Sequence, residues 1–113
     1  MKFREYQIES RKTDVGTSAQ DNLKPGWLYY ALGISGEAGE LTEKIKKLFR
    51  DKEGVIDEEF LSDVIKEVGD MLWYQARLLD VFGIDFGGVA KTNIEKLLDR
   101  MERNKIHGDG DNR

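Results

Sequence analysis

Ile34-Ser35-Gly36-Glu37-Ala38-Gly39-Glu40-Leu41, set beside Glu67-Val68-Gly69-Asp70, is the stretch from which this chain can be read. Each segment holds two carboxylates three residues apart among apolar neighbours. Adjacent carboxylates repel and are costly to keep against a core. The pattern points to a cation between them.

Around the first pair, Tyr30, Ile34, Leu41, Ile45, Leu48 and Phe49 recur with helical period and predict a helix over Trp27–Arg50. Gly33, Gly36 and Gly39 lie inside it, each costing roughly 1 kcal/mol against alanine. Close approach of another helix or a ligand is the expected compensation. Asp51-Lys52-Glu53-Gly54 breaks the pattern, and a second long helix is expected from about Asp57 to Phe82, stopped by Gly83. A short amphipathic helix is expected over residues 2–11, a long loop over 12–26, and a last helix through Val89, Ile94, Leu97, Leu98 and Met101. The expected fold is all-α: a four-helix bundle built on a long antiparallel hairpin, because the turn between the two long helices is short. A short first helix cannot cover that hairpin, so oligomerisation is expected.

On a wheel of about 100° per residue, Glu37 and Glu40 lie roughly −60° and −120° from Ile34. Glu67 and Asp70 lie at roughly the same two angles from Val64. Facing antiparallel helices are related by a two-fold axis, so equal displacements emerge on the same side of the seam. Both pairs are also equidistant from the Asp51–Gly54 turn. All four carboxylates should therefore line one edge at one level. A hard, oxygen-only set suits Mg²⁺, with Mn²⁺ as an alternative, and not zinc or copper. A di-iron bundle site would need Glu-x-x-His, and the sole histidine is His107. Asp63, on the same edge, reads as a support to the metal ligands or, more readily, as an outer salt-bridge partner.

Composition narrows the classes. The chain has 113 residues, 35% of them charged, with net charge −4, one proline and no cysteine. One domain over 1–113 is expected. No basic block favours nucleic acid or an anionic membrane surface. There is no thiolate metal site or disulfide framework. No apolar run could span a bilayer and the first residues lack a signal peptide's apolar core, so a cytoplasmic location is the default expectation. Residues 105–113 read as a flexible or partner-docked tail.

Gly36-Glu-Ala-Gly-Glu40 with Glu67-Val-Gly-Asp70 resembles the Glu-x-x-Glu and Glu-x-x-Asp signature of MazG-like nucleoside triphosphate pyrophosphohydrolases. That all-α superfamily also includes dimeric dUTPases, dCTP pyrophosphatases and phosphoribosyl-ATP pyrophosphohydrolases. Tyr29-Tyr-Ala-Leu-Gly33, Lys46-Lys47, Gly69-Asp-Met-Leu-Trp-Tyr74, Asn93-Ile-Glu-Lys-Leu97 with Arg100, and the ending Ile106-His-Gly-Asp-Gly-Asp-Asn-Arg113 extend the likeness over most of the chain. Many members carry a further glutamate where this chain has Gly36.

The resemblance implies that Glu37, Glu40, Glu67 and Asp70 hold Mg²⁺, that a nucleoside triphosphate is cleaved at the α-phosphorus to monophosphate and pyrophosphate, and that Glu37 or Glu40 takes the proton of the attacking water. It implies a nucleotide-pool house-cleaning role in a homodimer or dimer of dimers. A dedicated dUTPase, dCTPase or phosphoribosyl-ATP hydrolase is the alternative within enzymes, and a non-catalytic helical oligomerisation or partner-binding module the alternative outside them. Asn93, Lys96 and Arg100 share one helical face as phosphate and sugar contacts or as a solvated polar face. Lys47 is a phosphate candidate or a salt-bridge partner. Trp73 and Tyr74 stack on a base or simply pack. Gln7, Arg11 and Thr13 are candidates for lining the nucleoside pocket.

Overall fold

The computed structural model describes residues 1–16, 26–104 and 106–113. Among these, four α-helices and no strand are found: α1 (Phe3–Arg11), α2 (Trp27–Lys52), α3 (Glu58–Val81) and α4 (Phe86–Glu102). The expected loop over 12–26 lies largely outside the described residues.

Local chemistry sets the helix ends. After α2, Glu53 and Gly54 both take left-handed backbone (φ 55° and 75°), and the Gly54 N–H returns to the Leu48 carbonyl at 3.1 Å. That closure, one residue longer than a six-to-one bond because two successive residues are left-handed, satisfies a carbonyl the helix leaves open. A side chain at Gly54 would also meet the Phe49 ring. Asp57 then caps α3 by accepting from Phe60 N–H at 2.8 Å, with Glu58 and Glu59 in the first turn, where the helix dipole favours acids. Gly83 (φ 65°) ends the next connection, and Asp85 caps α4 by accepting from Gly88 N–H at 2.8 Å.

The α2–α3 hairpin is antiparallel, and its cross-contacts are centred on the Glu53–Gly54 turn. Trp27 meets Phe82 with ring centroids 6.3 Å apart, Gly33 meets Tyr74, Lys44 pairs with Asp63 at 3.7 Å, and Lys52 bonds Asp57 at 3.0 Å. Each pair is equidistant from that turn to within about a residue, so the register derived from the two acidic motifs holds along the whole hairpin.

Helix α1 packs on α3 and α4. It docks through polar groups as much as apolar ones. Gln7 is buried; its amide donates to the Ile84 carbonyl at 2.8 Å and accepts from Phe86 N–H at 2.9 Å, tying α1 to the start of α4. Arg77 is buried and donates to Ser10 Oγ, the Gln7 carbonyl and Asp80. Asp80 also takes a two-pronged bond from Arg11 at 2.6 and 2.9 Å. Two guanidinium groups thus hold the Asp80 carboxyl below its ordinary range, Arg11 most strongly.

Apolar cover is sparse. Among the described residues, only Leu48, Ala76 and Phe86 are buried apolar residues, while Phe49, Ile65, Leu61, Ile94 and Met101 are exposed. The radius of gyration, 17.1 Å, exceeds the roughly 13 Å of a compact domain of this size. No helix among the described residues is long and apolar enough to cross a membrane.

Candidate active site

The antiparallel register brings the acids together. Glu37 from α2 and Glu67 and Asp70 from α3 each offer a carboxylate oxygen within 4.8 Å of the others. Burial follows the helical wheel: Glu37 and Glu67, nearer the seam, are half-buried, and Glu40 and Asp70, a further turn outward, are exposed. Glu40 stands outside the three-carboxylate group, although its charge is felt at Glu37.

The electrostatics of the group are those of crowded anions. Burial, then the charges of Asp70 and Glu67, a hydrogen bond with Glu67 and the Glu40 charge all push the Glu37 carboxyl up from its ordinary value. Tyr74 beside them is pushed up to about 12, chiefly by burial, then by its bond to Tyr29, with Glu37 and Asp70 adding to the shift. Tyr6 is raised as well, first by burial and then by Asp70. Among the described residues, none of Glu37, Glu40, Glu67 or Asp70 has an ion-pair partner. Asp63, one turn before Glu67, does have partners, Lys44 at 3.7 Å and Lys66 at 3.9 Å. Three converging carboxylates with no cation among them, and oxygen as the only donor type, match what a hard divalent ion requires.

An aromatic cluster adjoins the acids. Tyr29, Tyr30, Trp73 and Tyr74 form a chain of ring contacts with centroids 5.1–6.2 Å apart. The segment after α1 closes over it: Trp73 Nε1 donates to Thr13 Oγ1 at 2.7 Å and the Tyr30 hydroxyl donates to Asp14 at 2.5 Å. Gly33 explains itself here, since a Cβ at that position would fall inside the Tyr74 ring. At Gly36 and Gly39 no neighbouring helix of the same chain makes the close approach: a Cβ at either meets nothing within 4 Å among the described residues.

The remaining candidates sit elsewhere. Lys47 lines a hollow of about 200 Å³ with Lys44, Lys52 and Phe60, between α2 and the start of α3. Asn93 and Lys96 line a groove of about 440 Å³ along α4, whose main packing is against α1. Arg100, buried further along that helix, donates to the Asp111 carbonyl. Within one chain, then, the α4 candidates are not gathered at the α2–α3 acid cluster. Gln7 and Arg11 are occupied as structural ties between helices, and Thr13 supports Trp73. Sequence reasoning missed Tyr29 and Tyr30 as site neighbours; their position one turn before Gly33, which must face an aromatic ring, was the available signal.

Residues 28–104 match the model of the MazG nucleotide pyrophosphohydrolase domain. The Gene 37 protein of Mycobacterium phage L5 is 40% identical over 109 residues, 96% of each chain. No solved structure matches. With its family match spanning both acidic motifs, this chain belongs to the MazG nucleotide pyrophosphohydrolase domain family.

Proposed function

We propose that the protein is a Mg²⁺-dependent nucleoside triphosphate pyrophosphohydrolase, releasing a monophosphate and pyrophosphate, in a nucleotide-pool house-cleaning role in the cytoplasm. The observation that carries this reading is the convergence of Glu37, Glu67 and Asp70 without a cation to balance them. These three would hold the ion, with Glu40 close enough for its charge to act on Glu37. A bound divalent cation supplies charge neutralisation for the phosphates and a lowered pKa for water.

The chain's own residues contribute the rest. Water attacks the α-phosphorus as the bond to the bridging β-phosphate oxygen breaks, and pyrophosphate departs. Glu40, exposed and outside the three-carboxylate group, is the acid left to accept the proton of the attacking water. The Tyr29–Tyr30–Trp73–Tyr74 cluster offers Trp73 and Tyr74 as base-stacking surfaces beside the acids. Lys47, and Asn93, Lys96 and Arg100 from a second copy, are the proposed contacts to phosphate and sugar.

A second copy is part of the proposal. Three buried apolar side chains among the described residues make a small core, and the exposed residues of α2, α3 and α4 would supply the missing cover. Hydrolysis in H₂¹⁸O tests the reaction: the label is expected in the monophosphate and not in pyrophosphate. Label in released orthophosphate, or in pyrophosphate, would overturn attack at the α-phosphorus.

A further inference from the structure

After α4 the chain folds back on the same helix. Residues 106–113 form a small self-bonded loop in which Arg113 donates to the Ile106 carbonyl at 3.1 Å and to the Gly110 carbonyl. Two cations of α4 and Arg103, the residue just after it, hold it. Lys96 Nζ donates to Asp111 Oδ1 at 3.3 Å, Arg100 donates to the Asp111 carbonyl and lies 3.6 Å from its carboxylate, and Arg103 donates to the Arg113 carbonyl at 3.0 Å.

Arg100 is poorly served by this arrangement. Its side chain is only 4% exposed, yet its Nε has no hydrogen-bond partner among the described residues. The other well-placed arginines are satisfied there: Arg11 Nε on Asp80, Arg77 Nε on Ser10, Arg103 Nε on Asp99. A buried N–H without a partner is unfavourable, and a guanidinium presents a planar fork of donors suited to a bidentate oxyanion. Asp111 meets only part of that fork. Its own carboxylate is 86% exposed, so its ion pairs with Lys96 and Arg100 are screened by water and weak. Lys96 also lines, with Asn93, a groove of about 440 Å³ along α4.

We propose that Asp111 is the resident occupant of the Lys96–Arg100 pair, assigned above to phosphate, and that it is displaced when the phosphates of an oligophosphate ligand bind. A phosphate brings more oxygens than the Asp111 carboxylate and can reach the Arg100 Nε that Asp111 leaves unpaired. The apparent affinity for the ligand is then lowered by the fraction of molecules in which Asp111 holds the site. The ligand class rests on the function proposed above; the competition does not.

The test uses the full chain in EDTA, with inorganic pyrophosphate as the calorimetric probe, so that the acid cluster and turnover play no part. Asp111→Asn keeps the main-chain contact to Arg100 and removes the competing charge. It is expected to bind pyrophosphate about two- to fivefold more tightly, the scale of one exposed ion pair. Lys96→Met, at a partly exposed position that should fold normally, is expected to weaken binding, and so is Arg100→Lys. Unchanged or weaker binding in Asp111→Asn would overturn the competition, and unchanged binding in Lys96→Met would overturn the site. Nucleotide turnover is assayed separately with Mg²⁺. Tighter binding in Asp111→Asn without turnover of any triphosphate would sink the catalytic reading and leave the anion site standing. Turnover with no effect of Asp111→Asn would do the reverse.

Discussion

Gly33 and Gly39 lie on the same helix and face different fates. At Gly33 a methyl group would enter the Tyr74 ring, so Gly33→Ala must displace an aromatic that adjoins the acids. Overpacking of this kind costs about 1–3 kcal/mol, against a gain of about 1 kcal/mol in helix propensity. A net loss of stability, read as a lower Tm, is expected together with reduced activity. Gly39 faces open space in the single chain, and Gly39→Ala is expected to raise the Tm of the monomeric chain by the helix-propensity gain alone. The acids separate in the same way. Glu67→Gln removes a member of the converging group and should abolish the rise in Tm on adding Mg²⁺, since a ligand stabilises only the state that binds it. Glu40→Gln should keep that rise and lose about 100-fold or more in kcat, the scale of a missing general base. Loss of the Mg²⁺ effect in Glu40→Gln would return that residue to the ligand set.

At the scale of the helices, polar ties decide how α1 is held. Asp80 accepts from Arg11 and from the buried Arg77, and Asp80→Asn leaves Arg77 with Asp14, 3.8 Å away, in place of its closer counter-charge. A loss of about 2–3 kcal/mol is expected. The sign of the pH dependence follows from the direction of the shift. The folded carboxyl titrates below its ordinary value, so its contribution is complete above about pH 4 and disappears as pH falls through the lower folded value. The wild-type Tm should therefore drop more steeply than that of Asp80→Asn as pH is lowered from about 4. These ties were not legible in the sequence. Gln7 reads in the sequence as a nucleoside-pocket candidate and nothing in the helical period singles out Ser10 or Arg77; only tertiary contact reveals the three as buried ties. The long helices were legible, because their apolar period is strong and Gly54, Asp57, Gly83 and Asp85 punctuate them at the observed ends. The register followed from two acidic motifs at equal distance from a turn. Glu40's place outside the carboxylate group did not follow, since a wheel gives angle and height but not the reach of a side chain.

As a whole, the single chain covers little of its own apolar surface among the described residues. Ile65 is 72% exposed and Phe49 68%. In an isolated chain Ile65→Lys would be nearly neutral, as surface substitutions usually are. If α3 packs on a second copy, the same change places a charge in an apolar interface, and light scattering should report a smaller species than wild type. A wild-type monomer by that measurement would contradict the assembly and leave Asn93, Lys96 and Arg100 away from the acids. The central claim is that the α2–α3 acid cluster holds the cation used in pyrophosphohydrolysis. The measurement that tests it most directly is Mg²⁺-dependent release of pyrophosphate from nucleoside triphosphates by wild type and Glu67→Gln side by side. Pyrophosphate release by wild type that requires Mg²⁺ and is lost in Glu67→Gln is the predicted result; release that persists in Glu67→Gln, or none from any triphosphate by wild type, would contradict it.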